Sequence, residues 1–385
     1  MNTENLQQIF AHYTERFEEL NNAECDENFK WRAAKLFRER MDAALTKDGR
    51  EFADALKKIV REKITKTIVD NYTQPFAGLV ELAYKEPETV KEMLLELFAD
   101  DGNDLKLREQ KISTFFAQSG KLLETYFPGS FRYKQDAHAV SAYLFLYDPD
   151  HHYLYKPTQA RLFADCVEFY GDWGAGNHIK LDVFYRMCDE LVAEIKKCPA
   201  LLATDQSRFD GRFRVSPEEM SPDKEKHILA FDIIYCSMVY DLFRGITFKP
   251  ITVKEKKLYE ERLKKATELQ ESYVRAEENY RQLEDAIQHY KKVLVPGTPV
   301  QSRMLGEGKI LEAGTNKISV QFAPNAEPKN FDFFSAIAGQ FLKFEDSLDE
   351  ETTELYRELF KRHSEIQGKM PELQKQLEEY RDILE

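Results

Sequence analysis

The sequence predicts a mainly α-helical protein: a helical N-terminal body, then an antiparallel coiled-coil hairpin that carries a small β-barrel at its tip. Three observations lead to this fold class. Apolar residues recur at helical spacing through much of residues 1–251, a heptad pattern runs up to Val295, and the heptads resume near Leu348. The intervening segment, residues 296–345, alternates apolar and polar residues between turn residues.

Residues 1–130 are predicted to form a helical bundle. Apolar side chains recur three and four positions apart, so they share one face of each helix and are expected to form the core. Pro87 suits the first turn of a helix, and Pro128-Gly129 is a stop signal. The first two apolar stripes consist of Leu6, Ile9, Phe10, Tyr13, Phe17, Leu20, Phe29, Ala33, Leu36, Phe37, Met41 and Leu45.

Residues 131–251 are predicted to continue the body as an α-rich part with a short strand or loop segment. The stretch 131–158 is rich in aromatic residues and dotted with polar groups, and residues 152–156 have the composition of a short strand. Thr158 is expected to cap the helix that follows. Residues 223–244 are predicted to form the helix that closes the body.

The two heptad segments, residues 252–295 and 346–385, are predicted to be the arms of the hairpin. Their apolar residues recur at steps of three and four, which is the a/d pattern of a coiled coil. Gly368 and Pro371 interrupt the second arm, and we expect a kink or a break there. The seam positions are Tyr259, Leu263, Ala266, Leu269, Tyr273, Ala276, Tyr280, Leu283, Ile287, Tyr290, Leu294, Leu348, Leu355, Leu359, Ile366, Met370, Leu373, Leu377, Tyr380 and Leu384.

The charges of the two arms favour pairing within one chain. Residues 252–295 carry ten basic and nine acidic residues, a net charge of +1, whereas residues 346–385 carry six and twelve, a net charge of −6. Opposite bias favours one arm packing against the other. The alternative is that both arms pair with another subunit, which makes the protein an oligomer through its coiled coil.

Residues 296–345 are predicted to form the small β-barrel. Alternating runs at residues 306–311 and 316–322 are bounded by Gly, Pro and Asn, and the glycines of the first run permit a sharp bend. Apolar residues at 331–342 supply a small core.

The order of the Gly-x-x-Val turn, the GEGKI run and the IxVxF run resembles the Tudor-like barrels of UvrD/PcrA-type helicases and CarD-like transcription factors. The resemblance implies an SH3-like or Tudor-like fold that binds a protein or nucleic-acid partner. Arg303 and Lys309 are the candidate binding residues. Five basic residues balance five acidic ones in this segment, so it lacks the positive excess that favours phosphate binding.

Composition excludes several classes of protein. No run of about 18 apolar residues occurs, so no membrane span is expected. The start of the sequence has neither the basic nor the apolar region of a signal peptide. Five scattered cysteines without a CxxC motif predict reduced, structural thiols in a cytoplasmic protein. A net charge of −13 argues against nucleic-acid binding over the whole surface, and no cofactor is expected.

One pair of residues has the spacing of a catalytic motif. Arg132 and His138 are six positions apart, as in HEPN-type ribonucleases, in which the His acts as acid or base and the Arg holds the phosphate. The structural alternative is that the two side chains bridge helix ends. We interpret them as weak catalytic candidates, and the sequence favours a protein without catalytic activity.

A second cluster offers metal ligands. Asp148, Asp150, His151 and His152 stand close together in the sequence. A metal site needs ligands that converge on one point, whereas neighbours in an extended segment face opposite ways. The preferred interpretation is therefore a turn nucleated by Asp-Pro-Asp, with no metal bound.

Aromatic and basic residues in the body are candidates for binding unpaired bases. Aromatic rings stack on bases, and lysines hold phosphates. Burial in the core is the alternative explanation for the same rings. The candidates are Lys134, Tyr153, Tyr155, Lys156 and Trp173.

The body also has a resemblance spread over residues 5–240. The stretches that carry it are IFAHYTERFEELN, FKWRAAKLFRE, EPETVKEMLLELF, YKQDAHAVSAYLFLYDPDHHYLYKPTQARLFADC and HILAFDIIYC. They resemble the N-terminal region of McrB-like AAA+ proteins from modification-dependent restriction systems. The resemblance implies a target-sensing or adaptor module in defence against foreign DNA. The chain departs from that family because it has no GxxxxGK[ST] phosphate loop and hence no motor.

The sequence thus favours a non-enzymatic, bacterial, defence-associated recognition or adaptor protein. Its helical body and its barrel are expected to bind nucleic acid, a protein partner, or both. The alternatives are a metal-independent HEPN-like ribonuclease that uses Arg132 and His138, and a structural subunit of a larger defence complex.

Overall fold

The computed structural model describes residues 1–69, 72–211, 213 and 216–384. They form two compact units, Met1–Lys257 and Leu258–Glu385. The described residues are mainly helical, with one small antiparallel sheet, so the prediction of a mainly α-helical protein is confirmed. No helix in the described part of the chain combines the length and the apolar character that crossing a membrane requires.

All regular elements in the described residues of the first unit are helices, and irregular segments connect them. The helices are α1 (Thr3–Glu15), α2 (Phe17–Leu20), α3 (Phe29–Leu45), α4 (Gly49–Arg61), α5 (Lys63–Val69), α6 (Pro75–Ala83), α7 (Pro87–Phe98), α8 (Leu105–Tyr126), α9 (Ala137–Tyr147), α10 (Pro157–Cys166), α11 (Leu181–Lys196), α12 (Pro199–Gln206) and α13 (His227–Val239), with 3₁₀ turns at Ser207–Phe209 and Pro217–Glu219.

Local sequence explains where several of these helices start. The side chain of Asp104 accepts hydrogen bonds from the amides of Lys106 and Leu107, and Asp136 accepts one from Ala139 at 2.8 Å. These bonds satisfy amides that a helix leaves free at its first turn. Pro87 begins α7 as the sequence predicts. The two aspartates position α8 and α9, which form walls of the site described below.

One hydrophobic core runs through the whole first unit. The ring of Phe76 in α6 lies 5.9 Å from Phe37 in α3 and 5.3 Å from Tyr143 in α9. Residues of the two predicted parts, 1–130 and 131–251, therefore belong to the same core cluster. Packing across that boundary makes the body one unit.

Of the two predicted alternatives for residues 152–156, a short strand or a loop segment, the structure has the loop: the segment is extended and pairs with no strand among the described residues. Two other local predictions in the body are wrong. The closing helix is α13, shorter than 223–244, and Asp223 precedes it as a buried acceptor for the amides of Ile228 and Leu229. Thr158 lies inside α10, which Pro157 begins.

The second unit combines long helices with the sheet. Its elements are most of α14 (Val253–Val293), β1 (Pro299–Ser302), β2 (Gly306–Ala313), β3 (Lys317–Gln321), β4 (Lys329–Asp332), α15 (Phe333–Ala338), β5 (Leu342–Lys343), α16 (Glu350–Lys361), α17 (His363–Glu378) and α18 (Arg381–Leu384).

The five strands form an antiparallel sheet in the order β4-β3-β2-β1-β5. Val300 pairs with Gly308, and Ile310 pairs with Val320, with a register shift between Ile310 and Glu312 that marks a bulge. Gly308 is required there, because an added Cβ would lie 2.8 Å from the Phe322 ring.

The sheet shares its core with the flanking helices. The ring of Tyr290 in α14 lies 5.8 Å from Phe344 and 5.6 Å from Phe360 in α16, and Phe333 lies 5.7 Å from Phe360. The apolar set predicted for residues 331–342 therefore packs on helix residues and does not form a separate core.

Most predicted seam positions of α14 and α16–α17 are buried or half-buried, but Leu355 is 44% exposed. Of the predicted kink or break at Gly368 and Pro371, the break does not occur. Helix α17 passes through Pro371, and the break lies at Arg362, between α16 and α17. Pro371 and Gln367, whose carbonyl loses its partner, are both exposed, so water satisfies that carbonyl.

Candidate functional site

A cavity of about 300 Å³ lies in the first unit between α8, α9, α11 and the segment 167–180. This volume is at the lower end of the range for small-molecule sites. We call it the aromatic cavity. Its lining consists of Glu109, Ile112, Ser113, Phe116, Ala137, Val140, Ser141, Leu144, Tyr153, Tyr155, Asn177, His178, Ile179, Lys180, Leu181, Phe184 and Tyr185.

Hydrogen bonds hold the extended segment 152–156 against α9 and present its rings to the cavity. The amide of Tyr155 donates to Ser141 Oγ at 3.0 Å, and that hydroxyl donates to the carbonyl of His138 at 2.8 Å. Trp173 Nε1 donates to the hydroxyl of Tyr155 at 3.3 Å. The tyrosine ring is thereby fixed from both sides.

Glu109 supplies a carboxylate to the lining of the cavity. It stands near the start of α8 and is half-buried. Its Oε1 accepts a hydrogen bond from the amide of Leu181, the first residue of α11, at 3.2 Å. Glu109 forms no ion pair with any residue that the structure describes. Oε2 therefore remains as an acceptor at the wall of the cavity.

Two other polar residues of the lining, Asn177 and Ser141, are already hydrogen-bonded within the protein. Asn177 Oδ1 accepts from the amide of Ala137 at 3.1 Å, and its Nδ2 donates to the carbonyl of Gln135 at 3.4 Å. Ser141 has the two bonds given above. These groups build the cavity, whereas Glu109 has an acceptor to spare.

A second pocket of about 380 Å³ adjoins the aromatic cavity. The two share Phe116 and Asn177 as walls. The adjoining pocket also has Lys134 and the 64% exposed ring of Phe131 at its surface. Glu124 also lines this pocket, so the aromatic cavity lies beside a surface pocket that holds one basic and one acidic side chain.

The structure brings together three of the five residues predicted to bind bases. Tyr153 and Tyr155 line the aromatic cavity, and Lys134 lines the adjoining pocket. Trp173 is only 1% exposed and supports Tyr155 from behind. Lys156 is turned elsewhere, with its Nζ 5.3 Å from the Tyr235 ring, and burial together with Lys30 lowers its pKa to about 8.

Arg132 and His138 do not come together. Arg132 donates to Gln74 Oε1 at 2.8 Å, and no hydrogen bond joins it to His138 among the described residues. Burial, and then the charge of Lys156, lowers the pKa of His138 to about 4, and its Nε2 is buried without a hydrogen-bond partner. Geometry thus gives the ribonuclease motif no support.

Asp148, Asp150, His151 and His152 are held by separate contacts. His151 Nδ1 lies 2.9 Å from Asp148 Oδ2, while Asp150 Oδ1 accepts from the amide of Glu225. Residues 149–151 form the predicted turn. Burial, and then the nearby Arg108, lowers the pKa of His152 to about 3. The four ligands do not converge.

Among the described residues, the acidic and sulfur ligands that do converge are Glu27, Asp232 and Cys236. The Nζ of Lys30 occupies this position, 2.5 Å from Glu27 Oε2 and in contact with Asp232 Oδ1. Burial opposes the charge of Lys30, but Asp232 raises the pKa of its amine above the usual value. A lysine ammonium takes the place of a metal ion.

Lys30 belongs to a larger group of buried charges that we call the Asp232 cluster. Asp232 also accepts a hydrogen bond from the hydroxyl of Tyr13. Arg208 is fully buried, and its Nε donates to Asp205 Oδ1 at 3.0 Å. The cluster balances three basic and three acidic side chains: Lys30, Arg208, Lys226, Glu27, Asp205 and Asp232.

The second unit has an open groove of about 890 Å³ on its sheet. Lys309 lies in it, together with Lys343 and the aromatic rings of Phe322 and Phe344. Arg303 lies outside the groove lining, in the exposed turn between β1 and β2. Two of the predicted binding residues thus stand on exposed surface of this unit.

Comparison of the chain with protein families, with curated proteins and with solved structures finds no match. The site therefore has to be interpreted from its own geometry. Reasoning from the sequence missed Glu109, because a glutamate near the start of a helix is an ordinary surface residue until α11 is packed beside it. It also missed the Asp232 cluster, whose members are spread from Glu27 to Asp232.

Proposed function

We propose that this chain is a non-enzymatic recognition protein, whose first unit binds an unpaired nucleotide and whose second unit binds a protein partner. The observation that carries the proposal is the aromatic cavity, with a lysine-bearing pocket beside it. The size and the two chemical characters of these neighbouring sites match the two parts of a nucleotide.

The base is assigned to the aromatic cavity. Phe116, Tyr153, Tyr155, Phe184 and Tyr185 contribute aromatic walls, and a volume of about 300 Å³ suits one ring system. Stacking of a base on an aromatic side chain contributes about 1–3 kcal/mol. The stacking is independent of which base is present, so these walls supply affinity and little selectivity.

The phosphate is assigned to the adjoining pocket. Lys134 has an exposed side chain there and forms no ion pair with a described residue, so its ammonium is available to an anion. A chain with a net charge of −13 repels a nucleic-acid backbone elsewhere. Binding is therefore local, and a base held in a duplex cannot enter the cavity.

For the second unit we propose the antiparallel coiled-coil hairpin with an SH3-like or Tudor-like barrel at its tip. Contacts between the arms support the pairing. Arg262 Nη2 lies 3.0 Å from Asp382 Oδ1, and the Tyr290 ring lies 6.1 Å from that of Tyr356. Residues early in α14 thus meet residues late in the chain, while later ones meet earlier ones, as an antiparallel pair requires.

The groove on the sheet is the proposed protein-binding surface. It is open and combines Lys309 and Lys343 with Glu307 and Glu345, so its charges balance. A mixed, partly apolar surface of this kind suits a protein segment better than a phosphate backbone. From the resemblance to McrB-like proteins, we propose that the protein acts in the bacterial cytoplasm in defence against foreign DNA.

Blocking the aromatic cavity tests the proposal. Ser113 is an exposed residue of α8 that lines the cavity, so Ser113→Trp fills the space without removing a buried contact. We expect this change to weaken binding of a fluorescent single-stranded oligonucleotide at least about tenfold, measured by anisotropy. The matched control is Gln110→Trp, on an exposed position of α8 outside the lining.

Lys134→Ala tests the phosphate assignment in the same assay. Each phosphate contact adds about −0.7 to the slope of log affinity against log salt for single strands. We expect the slope of this variant to be shallower by about that amount, and Lys121→Ala, an exposed lysine of α8 outside the lining of the pocket, to leave the slope unchanged. Equal binding by wild type and Ser113→Trp would refute the assignment of the base to the cavity.

A further inference from the structure

We propose that Glu109 makes the aromatic cavity selective for a base that presents two neighbouring hydrogen-bond donors, as guanine does at N1 and N2. The inference rests on the proposed function, since it assumes that a base enters the cavity. It names the ligand class more narrowly and identifies the residue that determines it.

The position of the Glu109 carboxylate is fixed before any ligand arrives. Its Oε1 is tied to the amide of Leu181 at 3.2 Å, and α8 and α11 hold the two residues in place. Each carboxylate oxygen has two lone pairs, so Oε1 keeps one and Oε2 keeps both. Glu109 itself thus contributes only acceptors to the lining of the cavity.

A group that only accepts hydrogen bonds discriminates among base edges. Guanine offers N1–H and the N2 amino group side by side, and both can donate to one carboxylate. Adenine and cytosine offer a single amino group next to a ring nitrogen that is itself an acceptor. Uracil and thymine offer one N–H between two carbonyl oxygens, which repel a carboxylate.

Two other polar side chains of the lining are engaged within the protein. Asn177 has both ends of its amide engaged with Ala137 and Gln135, and Ser141 bridges Tyr155 and His138. A half-buried carboxylate has lost part of its hydration, which costs free energy unless a hydrogen-bond partner compensates for it. A base with paired donors supplies that partner.

The hydrogen bond to Leu181 also gives Glu109 a structural role. Lys180, the N-cap of α11, makes no side-chain cap, and the Glu109 carboxylate meets the first free amide of that helix instead. Glu109→Gln keeps an oxygen for this amide and keeps the shape of the side chain. It removes the charge and replaces one acceptor by a donor, which separates the structural role from recognition.

The test is equilibrium titration of the full chain with GMP, IMP, AMP, CMP and UMP. We expect GMP to bind at least about tenfold more tightly than UMP, with IMP between them because it lacks the N2 amino group. Glu109→Gln should lose the preference for GMP while the affinities for AMP and CMP change less than about twofold. Glu96→Gln, an exposed carboxylate of α7 outside the lining, is the charge-matched control.

The outcomes are distinct. If all five nucleotides bind equally and Glu109→Gln changes nothing, the selectivity is refuted while the proposed nucleotide binding stands. If no nucleotide and no single-stranded oligonucleotide binds, or if Ser113→Trp leaves their binding intact, the proposed function itself is refuted. If Glu109→Gln lowers the affinity for every nucleotide by the same factor, Glu109 acts only through the shape of the cavity and the inference is also refuted.

Discussion

The Asp232 cluster and the aromatic cavity lie in the same helical unit, but they differ in how far their charged side chains are paired. In the cluster, each of three basic side chains contacts an acidic one, and Arg208 also donates hydrogen bonds to the side-chain oxygens of Asn21 and Asn28. In the cavity, Glu109 meets a single backbone amide beside about 300 Å³ of empty space.

The difference separates structural charge from functional charge. A buried charge that is fully paired has no capacity left for a ligand, and removing one member leaves the others uncompensated. A carboxylate with a spare acceptor beside an aromatic space stabilises the fold little and can still bind. The degree of burial alone does not single out the aromatic cavity, because the Asp232 cluster is the more buried of the two.

Among the substitutions that test this comparison, Asp232→Asn should have the largest effect on stability. The change leaves Lys30 and Arg208 buried with less negative charge, so we expect a loss of about 3–5 kcal/mol in the free energy of unfolding, measured with urea at pH 7.5. Asp42→Asn, which removes an exposed partner of Arg38, should cost less than about 1 kcal/mol. Similar losses for both variants would contradict the structural role of the cluster.

His152 provides an intermediate effect that depends on pH. Its pKa is lowered to about 3 in the folded state, against about 6.5 when unfolded, so the unfolded chain binds a proton that the folded chain excludes. Stability contributed by the neutral ring is present above about pH 6.5 and is lost as the pH falls toward 3.

The measurement compares urea unfolding of wild type and His152→Gln at pH 7.5 and at pH 5.0. Because the pKa of His152 is lowered, the free energy of unfolding should fall between pH 7.5 and pH 5.0 by about 2 kcal/mol more in the wild type than in the variant. His138 and His227, whose pKa values are also lowered, remain in both proteins and cancel in the difference. Parallel losses in the two proteins would show that His152 is not held neutral.

Glu109→Gln should have the smallest effect on stability. The amide keeps the hydrogen bond to Leu181, and no ion pair with a described residue is broken. We expect the free energy of unfolding to change by less than about 0.5 kcal/mol in the same urea assay. A loss approaching that of Asp232→Asn would mean that Glu109 is as structural as the cluster and that the contrast between the two regions fails.

Much of the fold could be predicted from periodicity. Apolar spacing identified the helices of the body, and heptads identified positions such as Ala266 and Leu283, which are fully buried. Errors arose where packing overrides a local signal. A kink or a break was expected at Pro371, and α17 runs through it without a break; Pro371 lies on an exposed face, where water can reach the carbonyl that lost its hydrogen bond.

The site was less accessible to prediction. Tyr153, Tyr155 and Lys134 were identified as binding candidates from their type and from the composition of their segment. Whether a side chain faces the cavity or lies in the core depends on tertiary packing. Trp173 and Lys156 were predicted to bind bases, but neither lines the aromatic cavity. Their neighbours in space, Tyr155 and Tyr235, lie 18 and 79 positions away in the sequence.

The sequence by itself determined where the helices and the small sheet lie, because hydrogen bonding and side-chain periodicity act over a few residues. Tertiary structure alone decided which charges are compensated and which carboxylate is left with a free acceptor. Lys30 meets Asp232 across 202 positions, and Glu109 meets Leu181 across 72. Such distant pairs are determined by how the helices pack, and they cannot be predicted from the periodicity of the sequence.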